Sequence, residues 1–126
     1  MTLLVLDAGA FIAHDRGDNL VRETLEAALR RGGRVISPSP VIAQVWRDGS
    51  RQARLASLLR SVDVLAPGLE EAKLAGLLCA KSGTADVVDA LVALCTVDGA
   101  VVLTSDVRDL EHLMKTLDRA VIVRHV

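Results

Sequence analysis

Short apolar runs alternate along the chain with longer segments of helical period. The short runs are rich in β-branched residues and mostly lack polar alternation, a pattern typical of parallel strands that are covered on both faces. We therefore predict a parallel sheet. Its strands lie at Leu3–Leu6 and at residues 34–36, 62–65, 100–103 and 120–123.

The intervening segments place apolar residues three and four positions apart and end at breakers such as Gly32-Gly33. They predict helices over residues 19–31, 39–46, 51–61, 69–80, 85–95 and 107–116. Thr84 can cap the helix that begins at Ala85. Strands that alternate with helices indicate a three-layer α/β/α fold with a mostly parallel sheet of four or five strands. We expect a single domain over residues 1–126.

Composition narrows the classes of function only slightly. The chain has 51% hydrophobic and 25% charged residues and a net charge of −1, so no overall positive field indicates nucleic-acid binding. Phe11 and Trp46 are its aromatic residues, which leaves little surface for stacking on bases. Cys79 and Cys95 are predicted to be buried free thiols. Without a signal-peptide pattern or a long apolar run, we expect a cytosolic protein that does not enter a membrane.

Three acidic residues stand beside or within apolar segments. Asp7 ends the first strand, Asp106 follows the fourth, and Asp89 lies inside the apolar stretch 87–94. A buried carboxylate is unfavourable unless it is paired or hydrogen-bonded, and the carboxyl ends of parallel strands form the usual binding edge of an α/β sheet. The three acids therefore suggest a shared divalent cation. Asp86, three residues before Asp89 on the same predicted helix, can lean toward it.

Each acid also has a purely structural interpretation. Asp86 can favour the helix dipole from the first turn, and Asp106 can be the N-cap of the last helix with Asp109 three residues on. Asp7 can form an Asx turn with Ala8. The metal hypothesis therefore depends on the acids acting as a group.

At these residues the chain resembles the PIN-domain ribonucleases, in particular the small VapC-type toxins of prokaryotic toxin–antitoxin pairs. Residues 4–10 resemble the opening strand and first acid of that family, and residues 37–46, 86–93 and 103–110 resemble its later motifs, in order and at the family's spacing. The resemblance implies a Mg²⁺- or Mn²⁺-dependent endoribonuclease that hydrolyses RNA. It also implies a homodimer held inactive by a cognate VapB-type antitoxin.

By position, the resemblance assigns metal binding and catalysis to Asp7, Asp89 and Asp106, with Asp86 as a further metal ligand and Asp109 in support. Thr104 or Ser105 would hydrogen-bond a ligand carboxylate or a metal-bound water.

One position departs from the family's second motif, which usually carries Glu where this chain has Gln44. An amide keeps an acceptor oxygen but loses the charge. Gln44 is either a weaker supporting residue of the site or a polar residue on a helix surface.

A local basic patch could hold RNA. Trp46, Arg47, Arg51 and Arg54 are close in sequence, and Arg51 and Arg54 are spaced to share a helix face. Solvated arginines and a core tryptophan explain the same residues.

Two other functions remain open from sequence. Gln44 is compatible with a PIN-like module that has lost turnover and binds as a regulator. A receiver-like phospho-acceptor domain is less well supported, because Asp7 is followed by Ala8 and Gly9 and no lysine lies beyond Lys115.

Overall fold

Five parallel strands form one sheet in the computed structural model, which describes residues 2–126. The order across the sheet is β3-β2-β1-β4-β5, and every neighbouring pair is parallel. The predicted α/β class and parallel sheet are confirmed. The strands are β1 (Leu3–Leu6), β2 (Arg34–Pro38), β3 (Asp63–Leu65), β4 (Val101–Thr104) and β5 (Ile122–His125).

Seven helices in the described part of the chain cover the sheet in two groups. The helices α1 to α4 pack on one another, and α5 to α7 pack on one another. Right-handed crossovers place these groups on opposite faces, which gives the three-layer arrangement. The helices are α1 (Ala8–Asp15), α2 (Asn19–Arg30), α3 (Ser39–Val45), α4 (Ala53–Leu59), α5 (Leu69–Ser82), α6 (Val87–Leu94) and α7 (Val107–Leu117).

Burial differs sharply between the centre and the edges of the sheet. Strands β1, β2 and β4 are buried almost throughout, whereas β3 is exposed along its length and β5 along most of it. Coverage of all five strands on both faces was therefore a wrong expectation. An edge strand has only one neighbour and lies beyond the helices that cover the centre.

Two helix starts also differ from prediction. Helix α1 was not predicted, because only eight residues separate Asp7 from the turn at Arg16-Gly17 and they show no clear polar face. Helix α6 starts at Val87 with Asp86 as N-cap, not at Ala85 with Thr84. The Thr84 hydroxyl instead lies 2.8 Å from that of Ser82, at the end of α5.

The chain reverses its direction of winding between β1 and β4. After β1 it proceeds to β2 and β3 on one side, and from β4 it proceeds to β5 on the other. In open parallel sheets the crevice at such a switch point, at the carboxyl ends of the strands, is where ligands bind. Asp7 and Asp106 follow these two strands directly. Within residues 2–126, the helices lack the combined length and apolar character that crossing a bilayer requires.

Candidate metal centre

Asp7 is held at the end of β1 by several contacts. Its amide donates to the Leu103 carbonyl of β4 over 3.0 Å, which extends the sheet pairing by one residue. Its carboxylate accepts from the amide of Ala8 at 2.8 Å, so Asp7 is the N-cap of α1. The Thr104 hydroxyl donates to the other carboxylate oxygen at 2.7 Å. The side chain is buried, and these donors hold it in one orientation.

Asp106 also stands at a helix start, but its carboxylate does not cap the helix. It occupies the N-cap position of α7 without forming a side-chain cap hydrogen bond. Its own amide donates to the Thr104 hydroxyl oxygen at 2.9 Å. Thr104 therefore connects Asp7 and Asp106 and leaves the Asp106 carboxylate free.

The first turn of α6 supplies two acids with different surroundings. Asp86 is exposed and accepts through one oxygen from the amides of Val88 and Asp89, each at 3.0 Å. Asp89 is buried, and no donor of residues 2–126 reaches its carboxylate. Asp86 thus has a structural role, as the N-cap of α6 and not as the first-turn residue that was predicted, whereas the Asp89 carboxylate has no hydrogen-bond donor in the described chain.

The carboxylates of Asp7, Asp89 and Asp106 converge. One oxygen from each lies within 4.8 Å of the others, and the three come from three separate segments. Burial raises the pKa of Asp89 to about 7, and the charges of Asp86, Asp7, Asp106 and Asp109 add to the shift. The pKa of Asp106 is also raised, first by burial and then by Asp7, Asp109 and Asp86.

These three side chains fit a divalent metal ion. Hard cations such as Mg²⁺ and Mn²⁺ prefer oxygen ligands and retain positions for water and phosphate. Like charges this close repel one another unless a cation or a proton lies between them. Three converging carboxylates, of which those of Asp89 and Asp106 accept no hydrogen bond within residues 2–126, are an arrangement that can hold a metal ion.

The residues predicted to support the site differ in their contacts with the three-acid cluster. Asp109 is exposed on the first turn of α7 and lines a small cavity of about 120 Å³ with Asp86 and Asp89. Ser105 is exposed and lies against Gly9, whereas Thr104 forms the hydrogen bond to Asp7. Gln44 is exposed on α3, and its side chain forms no hydrogen bond within residues 2–126. Its participation in the site stays a prediction.

Two contributors to the geometry of the site were missed from sequence. The Ser37 hydroxyl, fully buried at the end of β2, donates to the Leu6 carbonyl at 2.7 Å, directly before Asp7. A Cβ at Gly9 would lie 2.7 Å from Ser105 Oγ and 2.9 Å from its amide nitrogen, so glycine allows the chain after β4 to approach α1. In the sequence, the small residues Gly9 and Ser105 near Asp7 and Asp106 are the feature that could have indicated this close approach.

The residues of the predicted basic patch lie on different elements of the structure. Trp46 is 40% exposed and lies over Gly49, so it is not a core residue. The expectation that Arg51 and Arg54 share one helix face is wrong. Residues Gly49–Arg51 form a separate 3₁₀ turn, and the chain bends at Gln52 before α4 begins.

The arginines of the patch have different contacts. Arg51 pairs with Asp48 over 3.7 Å, and the Arg47 guanidinium donates to the carbonyls of Ala43 and Trp46. Arg54 turns toward the end of α1, where it donates to the Asp15 carbonyl at 3.3 Å. Of these arginines, Arg54 is the one that faces a cleft.

The parallel three-layer architecture and the acids at its switch point define a PIN-like α/β/α fold. One chain of the crystal structure of VapBC2 from Rickettsia felis, bound to a DNA fragment from their promoter, superimposes with a TM-score of 0.72. The match covers 99% of both chains at 11% sequence identity. It confirms the VapC-type PIN fold that the sequence motifs predicted. No model of a known protein family and no curated protein sequence matches the chain.

Proposed function

We propose that this protein is a Mg²⁺- or Mn²⁺-dependent endoribonuclease that acts in the cytoplasm as the toxin of a toxin–antitoxin pair. The observation that carries the proposal is the convergence of Asp7, Asp89 and Asp106 at the switch point of a PIN-like sheet. A structural role for one acid does not account for three carboxylate oxygens brought within 4.8 Å of one another.

In this proposal the five acids divide between two tasks. Asp7, Asp89 and Asp106 hold the cation through their carboxylate oxygens, and Asp86 and Asp109 add negative charge nearby. Thr104 keeps the Asp7 carboxylate oriented through its 2.7 Å hydrogen bond. When bound, the cation supplies positive charge against the phosphodiester and activates water for hydrolysis.

The experiment compares wild type with Asp7→Asn/Asp89→Asn in a cleavage assay on single-stranded RNA with Mg²⁺ or Mn²⁺. We expect wild type to cleave and the double variant to be inactive. The control is Glu23→Gln/Glu111→Gln, which removes two exposed carboxylates outside the cluster. A folded Asp variant that cleaves at the wild-type rate would rule out this mechanism.

The toxin role and its partners require separate tests. Expression of wild type should arrest growth, and Asp7→Asn/Asp89→Asn should relieve the arrest. A VapB-type antitoxin, homodimerisation and RNA as substrate are parts of the same proposal. Support for an antitoxin comes from the fold, which is shared with a chain of a VapBC2 complex. Growth arrest by the double variant equal to that of wild type would contradict a toxicity that depends on cleavage.

A second candidate is a PIN-like regulatory module with weakened turnover. The observation that favours it is the neutral, exposed Gln44 in place of the expected Glu. Calorimetric titration with Mn²⁺ separates the two candidates, since the nuclease requires binding that Asp89→Asn abolishes. Absence of Mn²⁺ binding by wild type would favour the regulatory module.

A further inference from the structure

A second polar cleft opens between the end of α1, the start of α2 and the start of α4. It has a volume of about 440 Å³, and its lining includes His14, Arg22 and Arg54. None of these residues belongs to the acidic cluster. Three nitrogen-bearing side chains around one cleft suit an anion.

The two arginines of the cleft carry unpaired charge. Within residues 2–126 neither Arg22 nor Arg54 forms a salt bridge. The Arg54 guanidinium carbon lies 3.4 Å from the position that a Cβ would take at Gly17, and its Nη1 donates to the Asp15 carbonyl. The Arg54 guanidinium therefore packs against Gly17 and uses one N–H group within the protein. Its other N–H groups remain available to a ligand.

The nearby acids Asp15 and Asp18 form no salt bridge with these arginines, and each accepts a hydrogen bond from a backbone amide. The Asp15 carboxylate accepts from the Leu55 amide at 3.0 Å, which ties α1 to α4. The Asp18 carboxylate accepts from the Val21 amide at 3.0 Å as the N-cap of α2. Both carboxylates stabilise the walls of the cleft.

His14 adds an unused polar atom. Its Nδ1 is the one buried side-chain nitrogen or oxygen of residues 2–126 without a hydrogen-bond partner. Burial lowers the pKa of His14; Asp15 opposes this shift, and Arg54 and Arg22 add to it. The two arginines are thus close enough to act electrostatically on the imidazole. A buried polar atom without a protein partner is uncommon in folded proteins, and a bound water or ligand is one way to satisfy it.

The cleft adjoins a groove that runs along α1 toward the acidic site, because Gly17 and Asp18 line both. Asp7 precedes this helix and His14 lies seven residues further on, which corresponds to roughly 10 Å at 1.5 Å per residue. The groove is lined by Gly9 and Ser105 beside the acids and by Gly17 and Asp18 beside the cleft. The groove therefore offers a path along which an extended ligand of the acidic site would approach the arginines.

We propose that Arg22 and Arg54 form a subsite for a backbone phosphate of single-stranded RNA, a short distance along the strand from the bond that is cleaved. The proposal rests on the proposed function, because the RNA is the substrate of the acidic site. Guanidinium groups match phosphate oxygens in a bidentate manner, and phosphate contacts position a strand without reading its sequence. RNA is favoured over an acidic protein segment because RNA is already the proposed ligand of the neighbouring acidic site, where an acidic segment would add negative charge without bringing a bond to be cleaved.

The test is Arg22→Gln/Arg54→Gln, introduced into Asp7→Asn/Asp89→Asn so that RNA is bound without cleavage. Binding of a short fluorescent single-stranded RNA is measured by anisotropy over a range of KCl concentrations. Each phosphate contact contributes about 0.7 to the slope of log affinity against log salt for single strands. We expect weaker binding and a slope less steep by about 1.4 for two contacts.

Two further variants serve as controls. Arg30→Gln/Arg31→Gln removes the same charge at the other end of α2 and should leave the slope unchanged. Arg22→Lys/Arg54→Lys keeps the charge, so it should retain the slope while affinity falls. This lysine pair also tests the proposal if the glutamine pair does not fold, because binding as tight as that of its Asp7→Asn/Asp89→Asn parent would contradict guanidinium recognition.

Failure of the subsite and failure of the proposed function give different results. If wild type cleaves RNA but Arg22→Gln/Arg54→Gln changes RNA binding no more than Arg30→Gln/Arg31→Gln does, the subsite proposal is wrong and the nuclease proposal remains. If no variant binds RNA and wild type does not cleave it, both are wrong. If RNA binding is unchanged while binding of polyglutamate weakens, the cleft serves an acidic protein and the RNA proposal is overturned.

Discussion

Helices α6 and α7 both begin at an aspartate, yet the two carboxylates have different roles. At α6 the Asp86 carboxylate accepts from the amides of Val88 and Asp89 and lies outside the three-acid cluster. At α7 the Asp106 carboxylate caps nothing and belongs to the cluster. The N-cap position therefore does not by itself decide whether an acid is structural or functional.

The two helix starts also differ at the residue two positions before the aspartate. Thr104, at the end of β4, accepts from the Asp106 amide and donates to Asp7, so the hydroxyl organises the start of α7. At the corresponding place before α6, Thr84 lies by Ser82 and contributes no such contact. At α7 the threonine thus orders the Asp106 backbone and the Asp7 carboxylate, while the Asp106 carboxylate stays without a hydrogen-bond partner in the described chain.

The largest expected effect comes from Asp106→Asn compared with Asp86→Asn. Both remove one charge, and asparagine caps helices about as well as aspartate, so the helix starts are preserved. We expect Asp106→Asn to reduce RNA cleavage and Mn²⁺ affinity by more than about a hundredfold, since loss of an outer-shell partner alone costs about 10–100-fold. Asp86→Asn should reduce both less than about tenfold. Equal losses in the two variants would remove the distinction between the helix starts.

The second effect separates the two acids within α6 and depends on pH. The pKa of Asp89 is about 7 in the folded chain against 3.8 in the unfolded chain. The Asp89 carboxyl therefore binds its proton more strongly in the metal-free folded protein than in the unfolded chain. Stability should therefore fall as pH rises from about 4 to about 7. In EDTA at pH 8, Asp89→Asn should be more stable than wild type by a few kcal/mol, since each pKa unit is about 1.4 kcal/mol.

Thermal denaturation in EDTA at several pH values measures this effect, and the advantage of Asp89→Asn should disappear below about pH 4. Asp86→Asn should give a smaller gain, because the Asp86 charge only adds to the shift that burial causes at Asp89. Glu111→Gln is the control, because its side chain is exposed and lies outside the acidic cluster. An Asp89→Asn variant that is less stable than wild type at pH 8 would show that the carboxylate is stabilised within the fold.

Thr104→Val is expected to have the next largest effect, because it removes the hydroxyl that distinguishes α7 from α6. The change keeps the shape but removes the hydrogen bond to Asp7 and the acceptor of the Asp106 amide. Mn²⁺ affinity measured by calorimetry should fall about 10–100-fold. Thr104→Ser retains the hydroxyl and should recover most of the affinity. An unchanged Thr104→Val variant would mean that Asp7 keeps its orientation through other contacts.

The smallest effect concerns the cap itself. Asp86→Ala should destabilise the protein by about 1 kcal/mol through loss of the cap of α6, whereas Asp86→Asn should not. Urea denaturation measures both variants, in EDTA so that metal binding does not contribute. A loss for Asp106→Ala as large as that for Asp86→Ala would contradict the finding that the Asp106 carboxylate does not cap α7.

Much of the architecture was predictable because hydrophobic periodicity reports burial directly. The prediction of β1 matches its bounds, and the other four strands were placed within two residues at each end. Helix α1 was missed because it is short and apolar around most of its surface, so it lacks an amphipathic period. The cap of α6 was misplaced because Thr84 and Asp86 are both good N-caps, and only the backbone path selects between them.

The sequence by itself determined the alternation of strands and helices and the positions of the acids after apolar runs, because both depend on local pattern. Tertiary structure decided which acids meet. Asp7 and Asp106 are 99 positions apart in the chain, and β1 and β4 become neighbours only through the strand order. The same strand order brings the Thr104 hydroxyl to Asp7. The Asp106 carboxylate caps nothing, whereas Asp86 is used as a cap. These roles depend on contacts between distant segments, which local sequence does not specify.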